Sequence, residues 1–518
     1  MRKILLAVLL LSLAVSVYAQ NGTRSIDYNA KTFGRAGTSI GFFDNVGNMM
    51  SNPAGLSFID EPVFDVNAII MFPMPTFKNY KKNSDGTPTS AVLNDAEGYK
   101  DPFVLPSAGY IHKFKDSKFT LGLGFFTVGG MGAEFDLNHE LFVQRDANGF
   151  PTGAYNPQKY RSRFAVMQGG LTGAYKISDK FSVGITAHLV YSTIGFNNPF
   201  SMSPDVMKGK TPMGTTFGQM FKAPVSAGGL GYTEVTSMAD MKDLKAFSFN
   251  GRLGLAYRFS DKVTAGVNFS SPVPLNFKNG VANLDMGAQF IDAFEKVAHG
   301  YMAAGIPRTA AVDSATRKFT MLGLDLSKGY FAQYDITNDF EVPMSIGFGI
   351  MYAPQKNLRL AFDFEWINWE KSAKNMKLTL TNGQNSNINL VLGQGGAGQD
   401  PLIVDFPLNW KDAFLFKLGG EYDISKGFTV RAGYAYGNNP IPNNTIVPIV
   451  PAVIEHHISA GTTFAVTDRA LINLAFEYGI KNSVESVTPN LVAFEYNGST
   501  TALSNLLGHI SLTYYLNR

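Results

Sequence analysis

The sequence contains no cysteine, which excludes disulfides, zinc–thiolate sites and cysteine nucleophiles. Charged residues make up only 16% of its 518 residues, and the formal net charge is +3. A chain this close to neutrality has no electrostatic footprint for nucleic acid, so we expect no nucleic-acid partner. After the first twenty residues, no apolar run approaches the roughly 18 to 20 residues that a membrane helix needs.

The first nineteen residues have the layout of a secretory signal peptide. Arg2 and Lys3 form a short basic start, and an apolar run broken only by serines covers positions 4–17. Val17 and Ala19 occupy the −3 and −1 positions of a signal-peptidase site, so Gln20 is predicted to begin the mature chain. The run is too short and wrongly flanked for a membrane-spanning helix. The sequence therefore predicts an exported protein, with an uncleaved N-terminal anchor as the alternative.

Glycine and aromatic residues are abundant, with 52 Gly, 41 Phe and 22 Tyr. In an exported chain without long apolar runs, this composition is typical of a membrane β-barrel. A secreted soluble all-β protein has a similar composition, so the periodicity of the sequence must decide between the two.

Apolar and polar residues alternate with a period of two along many segments of about ten residues. In 181–191 (FSVGITAHLVY), every second residue from Phe181 to Tyr191 is apolar, and the residues between are polar or small. Strands of this length suit a tilted crossing of a membrane. Fourteen segments are predicted: 63–77, 103–114, 119–131, 161–177, 181–196, 246–259, 263–277, 340–353, 358–371, 411–424, 427–437, 456–466, 470–483 and 506–516.

Short and long connections alternate between these segments. Six are tight polar turns, such as 178–180 (SDK) and 260–262 (SDK). The others are predicted to be long: 78–102, 132–160, 197–245, 278–339, 372–410, 438–455 and 484–505. Outer-membrane barrels combine brief periplasmic turns with extended outer loops. The sequence therefore predicts an all-β fold, a 14-stranded antiparallel transmembrane β-barrel over 61–518, in the outer membrane of a Gram-negative bacterium.

Residues 20–60 precede the first predicted strand and are rich in Gly, Asn and Ser. Fourteen strands enclose more space than side chains alone can fill. We therefore expect this segment to fold inside the barrel as an N-terminal hatch, or plug. A disordered periplasmic leader is the alternative, but Phe33, Phe42 and Phe43 argue against it because disordered segments are poor in aromatics.

Motifs in both halves of the chain resemble one known family. The predicted hatch contains Gly34-Arg35-Ala36 and, after a short acidic and amide stretch, Asn52-Pro53-Ala54. The C-terminal half contains, in order, 416–422 (FKLGGEY), 429–434 (TVRAGY), 439–442 (NPIP) and 457–464 (HISAGTTF). This set is similar to the FadL/TodX family of outer-membrane transporters for long-chain fatty acids and hydrocarbons, over essentially the whole mature chain.

The resemblance implies passive uptake of a hydrophobic compound through a hatch-gated barrel. In such proteins the ligand leaves sideways, through a wall gap made by an inward kink in the third strand. The third predicted strand ends with Gly129, Gly130 and Gly132, which we expect to mark that kink; a plain loop beginning at Gly129 is the alternative.

Apolar side chains in the long loops suit a ligand-collecting surface, since methionine thioethers adapt to ligands of variable shape. A helix predicted over 283–302, in an outer loop, adds an apolar face. A small packed loop core is the alternative. The predicted collecting residues are Met202, Met207, Phe217, Met220, Phe221, Ile291 and Phe294.

Cations on the polar strand faces are candidate anchors for a fatty carboxylate, namely Arg163, Arg252 and Arg431. Alternatively, these cations pair with acids across the lumen and hold the hatch to the wall, because unpaired buried charge is costly. No nucleophile motif stands out. We therefore expect no enzyme activity, no catalytic residue, no metal and no cofactor.

The expected partners are a fatty acid or hydrocarbon ligand, outer-membrane lipid with lipopolysaccharide, and the barrel-assembly machinery, with the protein itself a monomer. Outer-membrane barrels usually finish on an aromatic residue that this machinery reads. Here Tyr514 and Tyr515 are followed by Leu516-Asn517-Arg518, which is a departure from that pattern. A non-transporting scaffold for protein secretion or cell-surface assembly is the alternative function, because long loops and a hatch would serve it too.

Overall fold

The computed structural model describes Gly22 and residues 24–516; the predicted signal peptide at 1–19 and Gln20 lie outside the described residues. Fourteen antiparallel strands form the wall, and six of them are interrupted once. Their bounds are β1 Val63–Lys82, β2 Pro88–Glu97 and Phe103–Lys113, β3 Phe119–Met131 and Glu134–Leu137, β4 Gln158–Lys176, β5 Phe181–Met202, β6 Val235–Ser260, β7 Val263–Ser270 and Val273–Asp285, β8 Phe331–Val342 and Ser345–Gln355, β9 Leu358–Ile367 and Asn375–Thr381, β10 Leu402–Pro407 and Ala413–Ser425, β11 Phe428–Gly437, β12 His456–Ala465, β13 Ala470–Glu485, and β14 Thr500–Tyr515.

The sheet closes on itself. β1 pairs with β14 in continuous register from Val63 opposite Tyr515 to Lys78 opposite Thr500. Closure removes the free strand edges, whose backbone groups lipid cannot hydrogen-bond. The predicted antiparallel barrel of fourteen strands is thus confirmed.

The period-two pattern places apolar side chains outside and polar or small ones inside. Along β6, Phe247, Phe249 and Leu253 are exposed on the outer wall, whereas Ser248 and Asn250 are buried. Exposed apolar side chains in register on neighbouring strands form the band that faces lipid.

Several strands are longer than predicted, so the predicted loops at 78–102, 197–245 and 278–339 are in part strand. β1 continues to Lys82, β5 to Met202, and β6 begins at Val235. These extensions rise beyond the membrane, where both faces of a strand tolerate polar residues. The alternation that marks a strand in lipid fades there, which is why the sequence prediction stopped too early.

Short helices occur in the hatch and in the outer loops. The helix predicted over 283–302 is confirmed as Gly287–Ala303, and an unpredicted helix, Arg308–Met321, packs beside it. Within the described part of the chain, no helix combines the length and the apolar character needed to cross a membrane. The helices are α1 Ala30–Phe33, α2 Asn48–Ser51, α3 Phe217–Lys222, α4 Gly287–Ala303, α5 Arg308–Met321, α6 Trp369–Ser372 and α7 Ser386–Leu392, with 3-10 helices at Pro53–Phe58, Pro204–Val206, Val225–Ala227, Leu326–Lys328 and Phe494–Tyr496, and a separate two-stranded hairpin at Val143–Arg145 and Pro151–Tyr155.

Candidate functional site

The N-terminal segment occupies the lumen near the periplasmic turns. Asn52 ties it to the wall, because its Nδ2 donates to the backbone oxygen of Leu255 on β6 (2.9 Å) and to that of Ile40 (2.9 Å). The Asn52 Oδ1 accepts from the Ala54 N–H (3.2 Å) and so caps the 3-10 helix that begins at Pro53. Pro53 fits this first position because its missing N–H would have no helical partner there.

Wall glycines let this backbone approach closely. A Cβ at Gly184 of β5 would clash with the Pro53–Ala54 backbone, and one at Gly254 of β6 would clash with the Asn52 side chain. Any other residue at these two positions would push the segment away from the wall. The Asn-Pro-Ala motif and the wall glycines therefore form one packed unit.

The Gly34-Arg35-Ala36 motif contacts the opposite side of the wall. The Arg35 guanidinium makes two hydrogen bonds to Asp44 (3.0 and 3.1 Å) within the segment and one to Glu421 of β10 (2.7 Å). Gly34 lies against the backbone of Gly461, and the Ala36 N–H donates to Ser459 Oγ (2.9 Å). The fully buried Arg35 thus links the segment to the barrel through charge-assisted hydrogen bonds.

The three candidate carboxylate anchors lie in different environments. Arg163 is exposed on the outer face of β4, so its predicted place in the lumen is wrong: Ser162 and Phe164, on either side, take the inward positions of the alternation. Arg431 is buried, but its Nε donates to Glu421 (2.8 Å) and its Nη1 to Thr463 (2.7 Å). Arg431 therefore pairs with an acid inside the lumen, which was the alternative to an anchor for a ligand carboxylate.

Arg252 alone among the three faces an open space in the lumen. Its Nη1 donates to the backbone oxygen of Met50 (2.5 Å), while its Nε has no hydrogen-bond partner among the described residues. It lines a polar pocket of about 410 Å³, its open mouth included, together with Arg24, Asn250 and Gln168. The pocket can therefore offer a donor to a ligand group.

The predicted kink positions lie where β3 leaves its neighbour. The pairing of β3 with β2 runs from Thr120 to Phe126 and ends there. Residues 103–106 of β2 therefore pair with β1 on one side and have no β3 partner on the other. The β3–β4 register shifts between Thr127 and Gly129. The freed edge of β3 bonds inward instead, since Gly129 bridges to Arg24 and the Val128 oxygen accepts from the Ser25 N–H (3.2 Å).

The ladder gap between β2 and β3 has a defined upper end. β3 breaks after Met131 and resumes at Glu134, whose oxygen accepts from the Tyr99 N–H (2.8 Å) beside the break in β2. Gly132 lies at this break, where a Cβ would clash with the Ser162 carbonyl. Gly129 and Gly130 belong to the last strand residues before it. The prediction of a ligand exit at these glycines stays a prediction.

An apolar cavity of about 700 Å³, its open mouth included, lies in the outer half of the lumen. No charged side chain lines it; Ser162 and Asn198 are its polar residues, and each donates to a backbone carbonyl (Ile449 and Pro199). The lining comprises Met131, Ser162, Phe164, Ile194, Phe196, Asn198, Phe200, Met241, Phe340, Met376, Leu378, Phe406, Leu408, Trp410, Ile449 and Val450.

The two cavities are stacked. On β4, Phe164 lines the apolar cavity and Val166, the next inward position, lines the polar pocket. On β3, Met131 lines the apolar cavity and Gly129 lines the polar pocket. One inward step along a strand is roughly 7 Å. A path from the outside therefore meets the apolar cavity first, then the polar pocket, and the residues of β3 that no longer pair with β2 lie beside both.

The predicted collecting residues do not form an open surface. Met207, Phe217 and Phe221 are fully buried within the outer loops, Met202, Met220 and Phe294 are partly buried, and none of the seven lines the apolar cavity. Ile291 is 55% exposed, because helix α4 buries Phe290 and Ala293 instead. These residues therefore form a packed core within the outer loops, which was the alternative to a ligand-collecting surface.

Six of the cavity-lining residues were missed because they lie on strand extensions that the sequence prediction assigned to loops. Among them, Phe200 and Met241 occupy inward positions of β5 and β6 beyond the lipid band. Extending the period-two count past Tyr191 would have found Phe200, whereas the register shift between Met241 and Leu244 reverses the alternation and hides Met241. Residues from non-neighbouring segments, such as Trp410 and Ile449, carry no sequence signal that brings them together.

Glu234 and Glu495 line the same cavity beneath the outer loops. Glu495 Oε2 accepts from the Tyr160 hydroxyl (2.6 Å), and Glu234 accepts from the Phe494 N–H (3.0 Å). Burial raises the pKa of each carboxyl from its ordinary value of 4.5 to about 7. Both carboxyls therefore bind a proton more tightly in the folded loops than in the unfolded chain.

The outer loop 486–499 is expected to loosen as pH rises. A raised carboxyl pKa stabilises the folded form fully below about 4.5, and this contribution is lost as pH rises to about 7, by at most about 3 kcal/mol per carboxyl. Amide hydrogen exchange of 486–499, corrected for intrinsic rates, should be faster at pH 8 than at pH 5. The double variant Glu234→Gln and Glu495→Gln should remove this difference, and a pH effect that persists in it would contradict the assignment.

Comparisons with known proteins agree with the barrel. The family model described as "Outer membrane protein transport protein (OMPP1/FadL/TodX)" matches residues 12–514. The long-chain fatty acid transport protein of Escherichia coli (strain K12) is 22% identical over 464 residues, covering 89% of this chain and 87% of that protein. Its Salmonella typhi counterpart is 21% identical over 468 residues, with the same coverage of both chains.

Two solved structures share the fold. The Pseudomonas putida toluene transporter TodX matches with a TM-score of 0.63 at 17% identity, covering 96% of this chain and 100% of its own. A Pseudomonas aeruginosa FadL homologue matches with a TM-score of 0.64 at 18% identity, covering 95% and 99%. With the family match extending over nearly the whole sequence, the chain belongs to the OMPP1/FadL/TodX family of outer-membrane transport proteins.

Proposed function

We propose that this protein carries hydrophobic compounds passively across the outer membrane and releases them sideways through the β2–β3 opening. The position of the apolar cavity carries this proposal. Met131, the last residue of β3 before its break, lines the cavity, so the cavity lies directly beside the opening. A hydrophobic molecule can then pass from the cavity to lipid without returning to water.

The chemistry of the cavity suits an apolar cargo. Each methylene that leaves water gains about 0.8 kcal/mol, and the two polar residues of the lining already bond backbone carbonyls. Polar solutes find few hydrogen-bond partners there, so little offsets their lost hydration.

The polar pocket below adds a place for a head group. A fatty acid would leave its tail in the apolar cavity and bring its carboxylate toward Arg252, whose Nε has no partner among the described residues. A neutral hydrocarbon would use the apolar cavity alone. The related proteins are named for both kinds of cargo, a long-chain fatty acid and toluene.

The N-terminal segment acts as the hatch. It fills the lumen below the polar pocket, where Arg35 and Asn52 tie it to opposite parts of the wall. Straight passage to the periplasm is therefore blocked while the segment stays in place. The inward bend of β3 offers the remaining direction.

A photoreactive long-chain fatty acid tests both uptake and route. Cells that lack their own transporter should accumulate the probe when they produce this protein. After irradiation, the label should be found on cavity residues such as Phe164 and Phe406, and on 103–106 and 127–132 at the opening. Lipid-facing residues far from the opening, such as Phe249, measure labelling from the bilayer and serve as the internal control.

Two results would overturn the proposal. No gain in uptake, with the barrel shown to be folded in the membrane, would contradict transport. Uptake with label spread through the hatch and absent from the opening would leave transport standing and contradict the sideways route.

A further inference from the structure

One outer loop turns back into the barrel and is buried there. Residues 445–454 (TIVPIVPAVI), in the connection between β11 and β12, are all buried. Apart from the threonine they are apolar, and their Ile, Val and Ala side chains belong to the same hydrophobic core as the inward side chains of the wall. We call this segment the lumen loop. It occupies part of the space that the strands enclose.

The lumen loop reaches across the barrel to the wall beside the β2–β3 opening. It begins and ends at β11 and β12, and β4 lies nearly opposite β12 in the ring of fourteen strands. The Ile449 oxygen nevertheless accepts a hydrogen bond from the Ser162 hydroxyl of β4. Ser162 adjoins the break in β3, since its carbonyl is the group that a Cβ at Gly132 would meet. The loop therefore spans the lumen.

Hydrogen bonds and prolines hold the lumen loop in one shape. The Ile446 oxygen accepts from Asn490 Nδ2 (3.0 Å), and the Val453 oxygen accepts from the side-chain amide of 482 on β13 (2.8 Å). Pro448 and Pro451 fix φ and carry no N–H, so fewer backbone donors need partners in an apolar lumen. A loop fixed in this way gives the space beside it a fixed boundary.

The lumen loop forms one boundary of the apolar cavity. The strands that line the cavity are β3–β6 and β8–β10, with the break in β10, and the lumen loop contributes Ile449 and Val450. Among the described residues, no lining residue belongs to β11–β14, β1 or β2. On that side the loop packs against the wall, since a Cβ at Gly479 of β13 would lie 3.0 Å from the Ile454 Cδ1. The loop thus confines the cavity to the side of the lumen that includes the freed edge of β3.

We propose that Ile449 and Val450 are specificity-determining residues, which set the width of the molecules that the apolar cavity accepts. This inference rests on the proposed function, in which the cavity holds the cargo. Both side chains are buried, and the loop behind them packs on β13, so they have little room to retreat. A wide, rigid molecule would overlap them, whereas a flexible chain can bend past them. One methylene more or less in a hydrophobic pocket changes discrimination about 10- to 200-fold.

Two hydrocarbons with the same number of carbon atoms test this inference. The mature barrel in lipid nanodiscs is incubated with pyrene, which is wide and rigid, and hexadecane, which is slim and flexible. Gas chromatography with mass spectrometry measures the amounts retained, and nanodiscs without the barrel give the amounts that dissolve in lipid. Val450→Ala should raise the retained ratio of pyrene to hexadecane about tenfold, because it removes bulk from the cavity boundary. Val450→Phe should lower that ratio about tenfold, and the alanine variant suffices if the larger side chain prevents folding.

Val453→Ala is the matched control. Val453 is fully buried in the same loop and does not line the cavity, so the same substitution there should leave the ratio as it is in the wild type. Heat-modifiable migration on a gel shows that each variant is folded. An unchanged ratio in Val450→Ala, or an equal rise in Val453→Ala, would overturn the inference while cargo binding stands. If the wild-type barrel retained neither hydrocarbon above the lipid background, the proposed function would fail and the inference with it.

Discussion

Replacing Met241 by glutamate is expected to lower ligand retention by about 100-fold or more. Met241 is only 5% exposed and lines an apolar cavity without a charged side chain. Glutamate has a similar length and no branching, so the wall should still fold, while its carboxylate keeps water in the cavity. A ligand that leaves four methylenes in water loses about 3 kcal/mol, which is more than a factor of 100.

Mass spectrometry of hydrophobic molecules retained by the purified barrel measures this effect. The conservative variant Met241→Leu should retain ligand, because it keeps the cavity apolar. Met213→Glu makes the same chemical change at a residue that is 77% exposed in the outer loops and does not line the cavity. If Met241→Glu retained ligand as the wild type does, the cavity would not be the binding site.

Replacing Arg35 by alanine is expected to release the hatch from the lumen. Arg35 joins Asp44 of the hatch to Glu421 of the wall, and its side chain is fully buried. Removing one partner from a buried ion pair costs about 3–5 kcal/mol, because the remaining charge is left without compensation. Glu421 keeps Arg359 and Arg431 as partners, so the loss falls on the hatch side of the network.

Conductance in planar bilayers measures hatch release, since a fourteen-stranded barrel without its plug is wide enough for a water-filled channel. The Arg35→Ala variant should conduct ions, and hydrogen exchange of 24–60 should become faster. Arg359→Ala is the matched control: it loses bonds to Glu421 and Asp423, both on the wall, and among the described residues Arg359 makes no hydrogen bond or ion pair to the hatch. Equal conductance in both variants would place the effect in the wall instead.

The strand pattern was readable from the sequence because lipid imposes a strict rule on every crossing. Alternate residues along β5 and β6 must be apolar where they meet hydrocarbon, so Phe181 to Tyr191 was recognised as strand without any tertiary information. The same rule does not act above the membrane. The outer parts of β1, β5 and β6 were therefore assigned to loops.

The sequence predicts that the N-terminal segment lies in the lumen, but it does not predict the contacts of that segment with the wall. Its length, aromatic content and Asn-Pro-Ala motif indicated a segment inside the barrel. That Asn52 bonds the Leu255 carbonyl, or that Arg35 meets Glu421, depends on pairs separated by more than 200 residues. Such pairs leave no local periodicity in a single sequence.

Two site predictions failed for different reasons. Arg163 was assigned to the polar face, but the β4–β5 register is unbroken from Arg161 to Lys176, so alternation alone gives Arg163 the outer face of Leu171 and Tyr175. The loop methionines depend on tertiary structure, since Met207 packs inside the loops instead of collecting ligand.

The sequence by itself determined the compartment expected for the protein, the all-β barrel and its fourteen strands. Strands that cross a membrane must form a closed sheet, because lipid cannot hydrogen-bond free backbone groups. Their side chains must also alternate between an apolar outer face and a polar inner face. Tertiary structure alone decided where the cavities lie, which arginine lines the polar one and where the pairing of β2 with β3 ends. Those properties arise from contacts among strands, hatch and loops that are distant along the chain, and only the folded barrel brings them together.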